Sequence, residues 1–416
     1  MVDEQQKMQI LADLVAIKSV NGHELKVAEY LEKLLTRYGI QAEILPLGND
    51  RANLVATLGE GKPVLGIGGH MDVVDVEPAG WKTDPFVMTQ AGDNLYGRGV
   101  NDMKDGLAAI VIAMIEIKQS GVPLPGTLKF LASAGEEVGQ VGAQALTKAG
   151  YVDDLDALLI CEPTGYRIIS ANKGTLNLTV KSHGKAAHSS MPKLGNNAAT
   201  HLLNILQRMQ ATFDDVAGAV VNPEMGGTLY NVDVLQAGNQ VNAIPGLATA
   251  QINLRTIPEL PNDQLIAAFQ KTVDDYNATT NGDIELIAAN DVISTQGNRD
   301  SDLIKLIQQI GNPYAANQDL SAEERAYEQQ LMKLLDMPYA ADEILAMSAS
   351  GTMDASSYLI DHPVGFNYAA FGPGNDTQHQ DNEYTSKRQY LEFIAIYKKL
   401  FVQYLQVAAK KQVVED

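Results

Sequence analysis

The chain has 416 residues, 45% of them hydrophobic, enough for a large core spread over two or three domains. Its 51 acidic against 31 basic residues give a formal net charge of −20, and such a surface repels nucleic acid and anionic membranes, which argues against both as partners. No apolar run reaches membrane-spanning length, the start Met1-Val2-Asp3-Glu4-Gln5-Gln6 is too polar and acidic for a signal peptide, and the single cysteine excludes an intrachain disulfide and fits a reducing cytoplasm.

Residues 8–38 carry helical spacing, broken at Ser19-Val20-Asn21-Gly22. Residues 52–58 and 64–68 predict short strands, the second almost wholly apolar, as in a strand covered on both faces. Residues 106–119 predict a buried helix, and 126–133 and 157–161 further buried strands. Cys161, inside the last apolar run, reads as a core thiol rather than a nucleophile. Strands alternating with helices predict a three-layer α/β domain.

The pattern changes near Asn172. Residues 175–181 alternate like a half-exposed strand, 197–209 predict a helix, 228–236 and 248–255 strands, 263–276 a helix and 284–289 a last strand. This β-α-β-β-α-β order predicts a ferredoxin-like α+β domain inserted at about 174–291, between two parts of the α/β domain at 1–173 and 292–416. The stretch 311–347, rich in Ala, Glu, Gln and Leu, predicts one or two amphipathic helices. It reads as a packing insertion on the first domain rather than a gate over a substrate.

Several acidic residues and histidines end predicted strands or lie near glycine-rich turns. Glu136 and Glu137 are adjacent in Ala134-Gly135-Glu136-Glu137-Val138-Gly139. A hydrolase using two metal ions needs one carboxylate as ligand and another as proton acceptor, and neighbours at a strand end point in different directions. Taken alone, such a pair is a solvated loop. His70 and Asp72 are two apart after an apolar run, so on a strand they face one side, where a carboxylate can orient a metal-binding imidazole. Asp102, after Gly97-Arg98-Gly99 and before a buried helix, is compatible by position with a ligand or a helix N-cap, and the cap is the commoner local use of Asp. Glu162 ends a fully apolar strand, and a charge there needs partners. His379 sits in a polar loop after Gly372-Pro373-Gly374 and reads locally as an inert loop histidine. His23, His183, His201 and His362 have no carboxylate context and read as surface or structural residues.

The stretches Gly69-His70-Met71-Asp72-Val73-Val74, Tyr96 to Lys104, Ala134-Gly135-Glu136-Glu137, Cys161-Glu162-Pro163 and Gly372-Pro373-Gly374 before His379 occur in one order along the chain. Together they resemble the two-zinc hydrolase family of aminoacylases, acetylornithine deacetylases and succinyl-diaminopimelate desuccinylases, over essentially the whole length. The resemblance implies that Asp102 bridges two zinc ions, for which cobalt or manganese can substitute. It implies that His70 and Glu162 complete one site and Glu137 and His379 the other, that Glu136 is the general base, and that Asp72 orients His70. In this family the bridging aspartate is often followed by a cis peptide.

The inserted domain is implied to be a lid and homodimerisation domain. His188, in Gly184-Lys185-Ala186-Ala187-His188-Ser189-Ser190, resembles a lid histidine that reaches the partner's site. Arg255 resembles the arginine that holds a substrate carboxylate, and Asn242 a lid asparagine near the substrate. The lid stretch 184–197 is most similar to the bacterial deacylase branch. The substrate expected first is thus a small anionic N-succinyl amino acid, as for succinyl-diaminopimelate desuccinylase. An acetylornithine deacetylase or other aminoacylase comes next, then a dipeptidase or carboxypeptidase; the 311–347 stretch, long for a compact deacylase, leaves open a dipeptidase-like member or unusual access to the site. A non-catalytic metal-binding protein is the reading from another class, and Glu136 beside a full ligand set argues against it.

Overall fold

The computed structural model describes residues 2–318, 320, 322–334 and 337–415. The chain forms two compact units, Met1–Ser170 with Gly297–Met347 and Met353–Asp416, and Ala171–Gln296 with Ser348–Thr352.

The first unit is built on a mixed sheet. Strands Gln41–Gly48, Arg51–Gly59, Thr127–Ser133, Val64–His70, Ala157–Ile160 and Tyr368–Ala370 lie side by side in that order. The last four run parallel, with His70 level with Ser133 and Gly68 level with Ile160. Their carboxyl ends therefore share one edge, where parallel α/β sheets present ligands. Side chains alternate across the sheet. A Cβ on Gly68 would lie 2.5 Å from Ile160 and 3.4 Å from Tyr358, whereas one on Gly69 would lie 2.7 Å from Met103 and 3.0 Å from Leu107. Both faces of Val64–His70 are thus covered, one by the helix Lys104–Ser120 and the other by the segment carrying Tyr358, and any side chain at these two positions would have to push its neighbours aside. This is the three-layer arrangement.

The helix Lys104–Ser120 is buried from Lys104 to Ile117 and packs on the long helix Lys387–Glu415. It starts two residues earlier than its sequence predicts. Lys104 and Asp105 are charged yet buried, each with partners: Lys104 Nζ donates to the carbonyls of Leu14 and Ile17 at 2.9 and 2.7 Å, and Thr385 Oγ1 donates to Asp105 at 2.8 Å. The N-terminal helical stretch resolves into Glu4–Ala16 and Leu25–Arg37. The strand Gln41–Gly48 was not expected. It lies at the sheet edge with no buried residue, and its apolar residues Ala42, Ile44, Leu45 and Leu47 are interrupted by Glu43 and Pro46, so they form no continuous apolar run. Asp302–Ala315 is a helix capped by Ser301, and it runs into the 311–347 stretch, where Ala322–Leu334 forms a second helix. Residues 319, 321, 335 and 336 of that stretch lie outside the described residues.

The second unit has a four-stranded antiparallel sheet in the order Leu229–Ala237, Leu247–Thr256, Gly174–His183, Asp283–Val292. Helices Ala198–Ala217 and Asn262–Thr279 complete the ferredoxin-like order. Alternate residues such as Ala250, Ile252 and Leu254 face Leu202, Ile205, Leu265 and Phe269 in its own apolar core. The first helix is eight residues longer at its end than the sequence pattern marks. Among the described residues no helix is long and apolar enough to cross a membrane.

Candidate active site

Four parallel strands deliver their residues to one edge of the sheet. His70 ends Val64–His70 and Asp72 follows it; Glu136 and Glu137 follow Thr127–Ser133; Glu162 follows Ala157–Ile160; and His379 lies in the loop after Tyr368–Ala370. Asp102 comes from the turn ahead of Lys104–Ser120. The N-cap of that helix is Met103 and no side chain caps it, so the carboxylate of Asp102 is not spent on capping. The Asp102–Met103 peptide is cis.

Two triads of ligand atoms result, His70–Asp102–Glu162 and Asp102–Glu137–His379, each within 4.8 Å. They share Asp102, whose Oδ1 lies 3.0 Å from His70 Nε2 and whose Oδ2 lies 3.4 Å from His379 Nε2. Glu162 lies 3.9 Å from His70 Nε2 and Glu137 2.8 Å from His379 Nε2. Glu136 stands outside both triads. His70 Nδ1 donates to the backbone carbonyl of Asp72 at 2.9 Å, which leaves Nε2 as the ligand atom. The Asp72 carboxylate is 3.5 Å from the same nitrogen and instead accepts the backbone N–H groups of Glu136 and Glu137 at 3.1 and 3.2 Å. Asp72 thus meets His70 chiefly through its main chain, and its side chain fixes the two glutamates.

Charge balance in this cluster is strained. Burial works against a charged His70, yet Glu162, Asp102 and Asp72 hold its pKa well above the ordinary imidazole value. Hydrogen bonds to Asp102 and Glu137 lift His379 to about 10. Burial opposes ionisation of Asp102, but His379 and His70 hold its carboxyl well below the usual range. Burial, with Asp102, Asp354 and Glu137 nearby, pushes Glu162 up to about 8 against the pull of His70. Burial also pushes Glu136 well up, helped by Glu162, Asp354 and Glu137. Two imidazoles thus face Asp72, Asp102, Glu136, Glu137, Glu162 and Asp354. Nitrogen and carboxylate donors in two groups sharing one carboxylate, with negative charge in excess, fit a pair of divalent cations of the zinc type.

Sequence reasoning missed three contributors. Glu383 is wholly buried beneath the Asp102 turn. Asn101 exchanges hydrogen bonds with the main chain of Asn375, in the His379 loop, at 3.0 and 2.8 Å. Asp354 is buried, hydrogen-bonded to the Ser133 hydroxyl, and pushed up to about 7 by burial. Glu383 and Asp354 read in the sequence as polar loop residues with no periodic or motif signal, and Asn101, though inside the stretch Tyr96 to Lys104, carries no local sign of a role. Cys161 is buried, as expected of a core thiol. His201 bonds Tyr276 and Asn196 inside the second unit, a structural role.

His188, Asn242 and Arg255 belong to the second unit. The exposed His188 pairs with Ala243 in a short ladder, and the Asn242 carbonyl accepts Ser189 N–H at 3.0 Å. Ser190 N–H donates to His188 Nδ1 at 3.2 Å, which in the neutral ring puts the remaining proton on Nε2. Arg255 donates to Thr175 Oγ1 and Asn253 Oδ1 at 2.7 and 3.2 Å, and burial lowers its pKa.

Paired triads at the carboxyl edge of an α/β sheet, with a glutamate held beside them, define a metal-dependent hydrolase. The chain belongs to peptidase family M20/M25/M40, whose profile matches residues 66–403, and it is a hydrolase of amide bonds. A protein of Staphylococcus epidermidis named "Probable succinyl-diaminopimelate desuccinylase" is 36% identical over 97% of this chain and 99% of its own length. A Wolbachia pipientis protein named "Succinyl-diaminopimelate desuccinylase" is 27% identical over 95% of this chain and 93% of its own. Among solved structures, an M20 family metallo-carboxypeptidase from Sulfolobus solfataricus matches with a TM-score of 0.75 at 19% identity, covering 96% of this chain and 99% of that one. A Staphylococcus aureus tripeptidase matches at 0.73 and 19%, covering 99% and 100%. At that identity the structures speak for the fold alone.

Proposed function

We propose that this chain is a zinc-dependent deacylase that releases succinate from an N-succinyl amino acid, the reaction of succinyl-diaminopimelate desuccinylase. The observation that carries the chemistry is the sharing of Asp102 between two ligand triads with Glu136 outside both. The choice of acyl group follows the desuccinylase relatives that align over nearly the whole chain.

His70, Asp102 and Glu162 would hold one ion and Asp102, Glu137 and His379 the other. When bound, such a pair supplies Lewis acidity for the amide carbonyl and a lowered pKa for the attacking water. Glu136 takes that water's proton and passes it to the leaving amine nitrogen. Its elevated proton affinity suits a group that must first accept and then donate. The N–H bonds into Asp72 hold the Glu136 and Glu137 main chain, so their carboxylates keep separate tasks.

His188, through Nε2–H, donates to the oxyanion of the tetrahedral intermediate. Arg255 binds a substrate carboxylate with its planar fork, and Asn242 lies beside the substrate. The ferredoxin-like unit makes a homodimer through which His188 serves the partner's site. The protein works in the cytoplasm, where its lone thiol stays reduced.

The test is a substrate panel: N-succinyl-diaminopimelate, N-acetylornithine, other N-acetyl amino acids and dipeptides, followed by amine release with and without chelator. The expected result is the highest kcat/KM on the succinyl substrate, abolished by chelation and restored by zinc. A higher kcat/KM on acetyl or dipeptide substrates overturns the choice of acyl group and leaves the metal chemistry standing.

A further inference from the structure

Glu383 is a carboxylate with no solvent exposure, four residues beyond His379. A buried charge is tolerable only with several strong partners. Among the described residues, its hydrogen-bond donors all come from a single stretch of chain. Arg98 Nη1 donates to Oε2 at 2.6 Å and Gly99 N–H to the same oxygen at 3.1 Å. The N–H groups of Asn101 and Asp102 donate to Oε1 at 2.9 and 3.0 Å. The turn 97–102 is thus wrapped around one carboxylate more than 280 residues away in sequence. Gly97 N–H also donates to the Glu383 carbonyl at 3.1 Å. Gly99 has φ 78°, and a Cβ there would lie 2.5 Å from Val73, so the wrap needs glycine at this position.

We propose that Glu383 is a positioning residue for the bridging ligand: it fixes the main chain at Asp102 so that the two carboxylate oxygens face His70 and His379 at once. This inference rests on the two-metal reading of the site. Neither His70, Glu137, Glu162 nor His379 serves both triads, so a fault at one of them falls on one ion. A fault in the Glu383 cradle falls on both, because Asp102 is common to both. Asn101 extends the effect, since the same turn holds the His379 loop through Asn375. A carboxylate is required here rather than any acceptor. Four donors, one of them a guanidinium, converge on two oxygens, and an amide offers one oxygen and a repelling NH₂.

The experiment compares wild type, Glu383→Gln and Glu116→Gln. Glu116 is also buried and charged, but pairs with Lys7 and Lys398 away from the site, so its variant controls for loss of stability. Zinc affinity and stoichiometry are measured by competition with a chromophoric chelator. Hydrogen exchange at the amides of Gly99, Asn101 and Asp102 is measured in metal-free protein. The expected result is that Glu383→Gln weakens both ions together by about 10–100-fold, the usual effect of losing an outer partner of a ligand. The three amides exchange faster, while Glu116→Gln moves neither readout. Wild-type affinity for both ions in Glu383→Gln, or a loss confined to one ion, overturns the proposal. Wild type binding fewer than two zinc ions overturns the two-metal reading itself and the inference with it. If Glu383→Gln does not fold, Arg98→Gln, which leaves three backbone donors in place, is expected to weaken both ions by a smaller factor, and unchanged affinity there overturns the proposal equally.

Discussion

His379 Nε2 lies 2.8 Å from Glu137 Oε1 across 242 residues of chain, a contact that exists only because both follow parallel strands of the same sheet. In metal-free protein this contact is an ion pair that also involves Asp102, and it lifts His379 to about 10. His70 is likewise held protonated and Glu162 is raised to about 8.

Metal uptake should therefore release protons. At pH 7 the raised pKa values keep His70 and His379 charged and Glu162 mostly neutral without metal. Ligand atoms must be deprotonated to bind. Apparent zinc affinity should fall steadily from pH 8 to pH 6, because the ion must displace protons these groups already hold and a rising proton activity opposes that displacement. Calorimetry in buffers of different ionisation enthalpy should show more than one proton released per protein at pH 7. Equal heats in all buffers would contradict this.

Glu136→Gln should bind both ions as tightly as wild type, because Glu136 is outside both triads. Its turnover should fall by roughly 10²–10⁴-fold, the span of a lost general acid–base group. Glu137→Gln should instead lose affinity for one ion. Metal analysis beside steady-state rates checks both, and near-normal turnover in metal-replete Glu136→Gln would remove Glu136 from the mechanism.

Asp102→Ala should cost more metal than any other single ligand substitution, because its two oxygens serve different histidines. Competition titrations of Asp102→Ala, Glu162→Ala and Glu137→Ala give the ranking. Retention of two tightly held zinc ions by Asp102→Ala would show that the carboxylate is not a bridge.

The fold class was legible because the central strands are apolar on both faces and the inserted unit alternates cleanly, as at Ala250, Ile252 and Leu254. The strand Gln41–Gly48 was not, since an edge strand with one half-exposed side after another has no periodic signature. At the site, Glu162 was conspicuous as a charge ending an apolar strand. His379 was invisible to local reasoning, and only the ordered motifs pointed to it. Glu383 gave no sign at all. An acid in Gln380-Asp381-Asn382-Glu383 reads as solvated, and its burial arises only when a distant turn closes over it. Local patterns report what a residue's neighbours in sequence impose. They are silent on partners supplied from elsewhere in the chain.

His188 and the proposed dimer are tested together by mixing two variant subunits. His188→Ala homodimers should bind metal normally, because no triad includes His188, and should turn over poorly. Mixed with Glu136→Gln subunits, they should regain activity if His188 acts across the two-fold axis. In such a heterodimer one site has an intact Glu136 and receives an intact His188 from its partner, while the other site lacks both. Independent sites then give at most about half of wild-type activity per dimer. If His188 serves its own subunit, every mixed site carries one defect and no activity returns. Subunit exchange is checked separately with differently tagged chains, and size-exclusion chromatography establishes that dimers form. Exchange without rescue refutes the action in trans and leaves the metal centre untouched. A monomer in solution with full activity refutes the dimer requirement altogether.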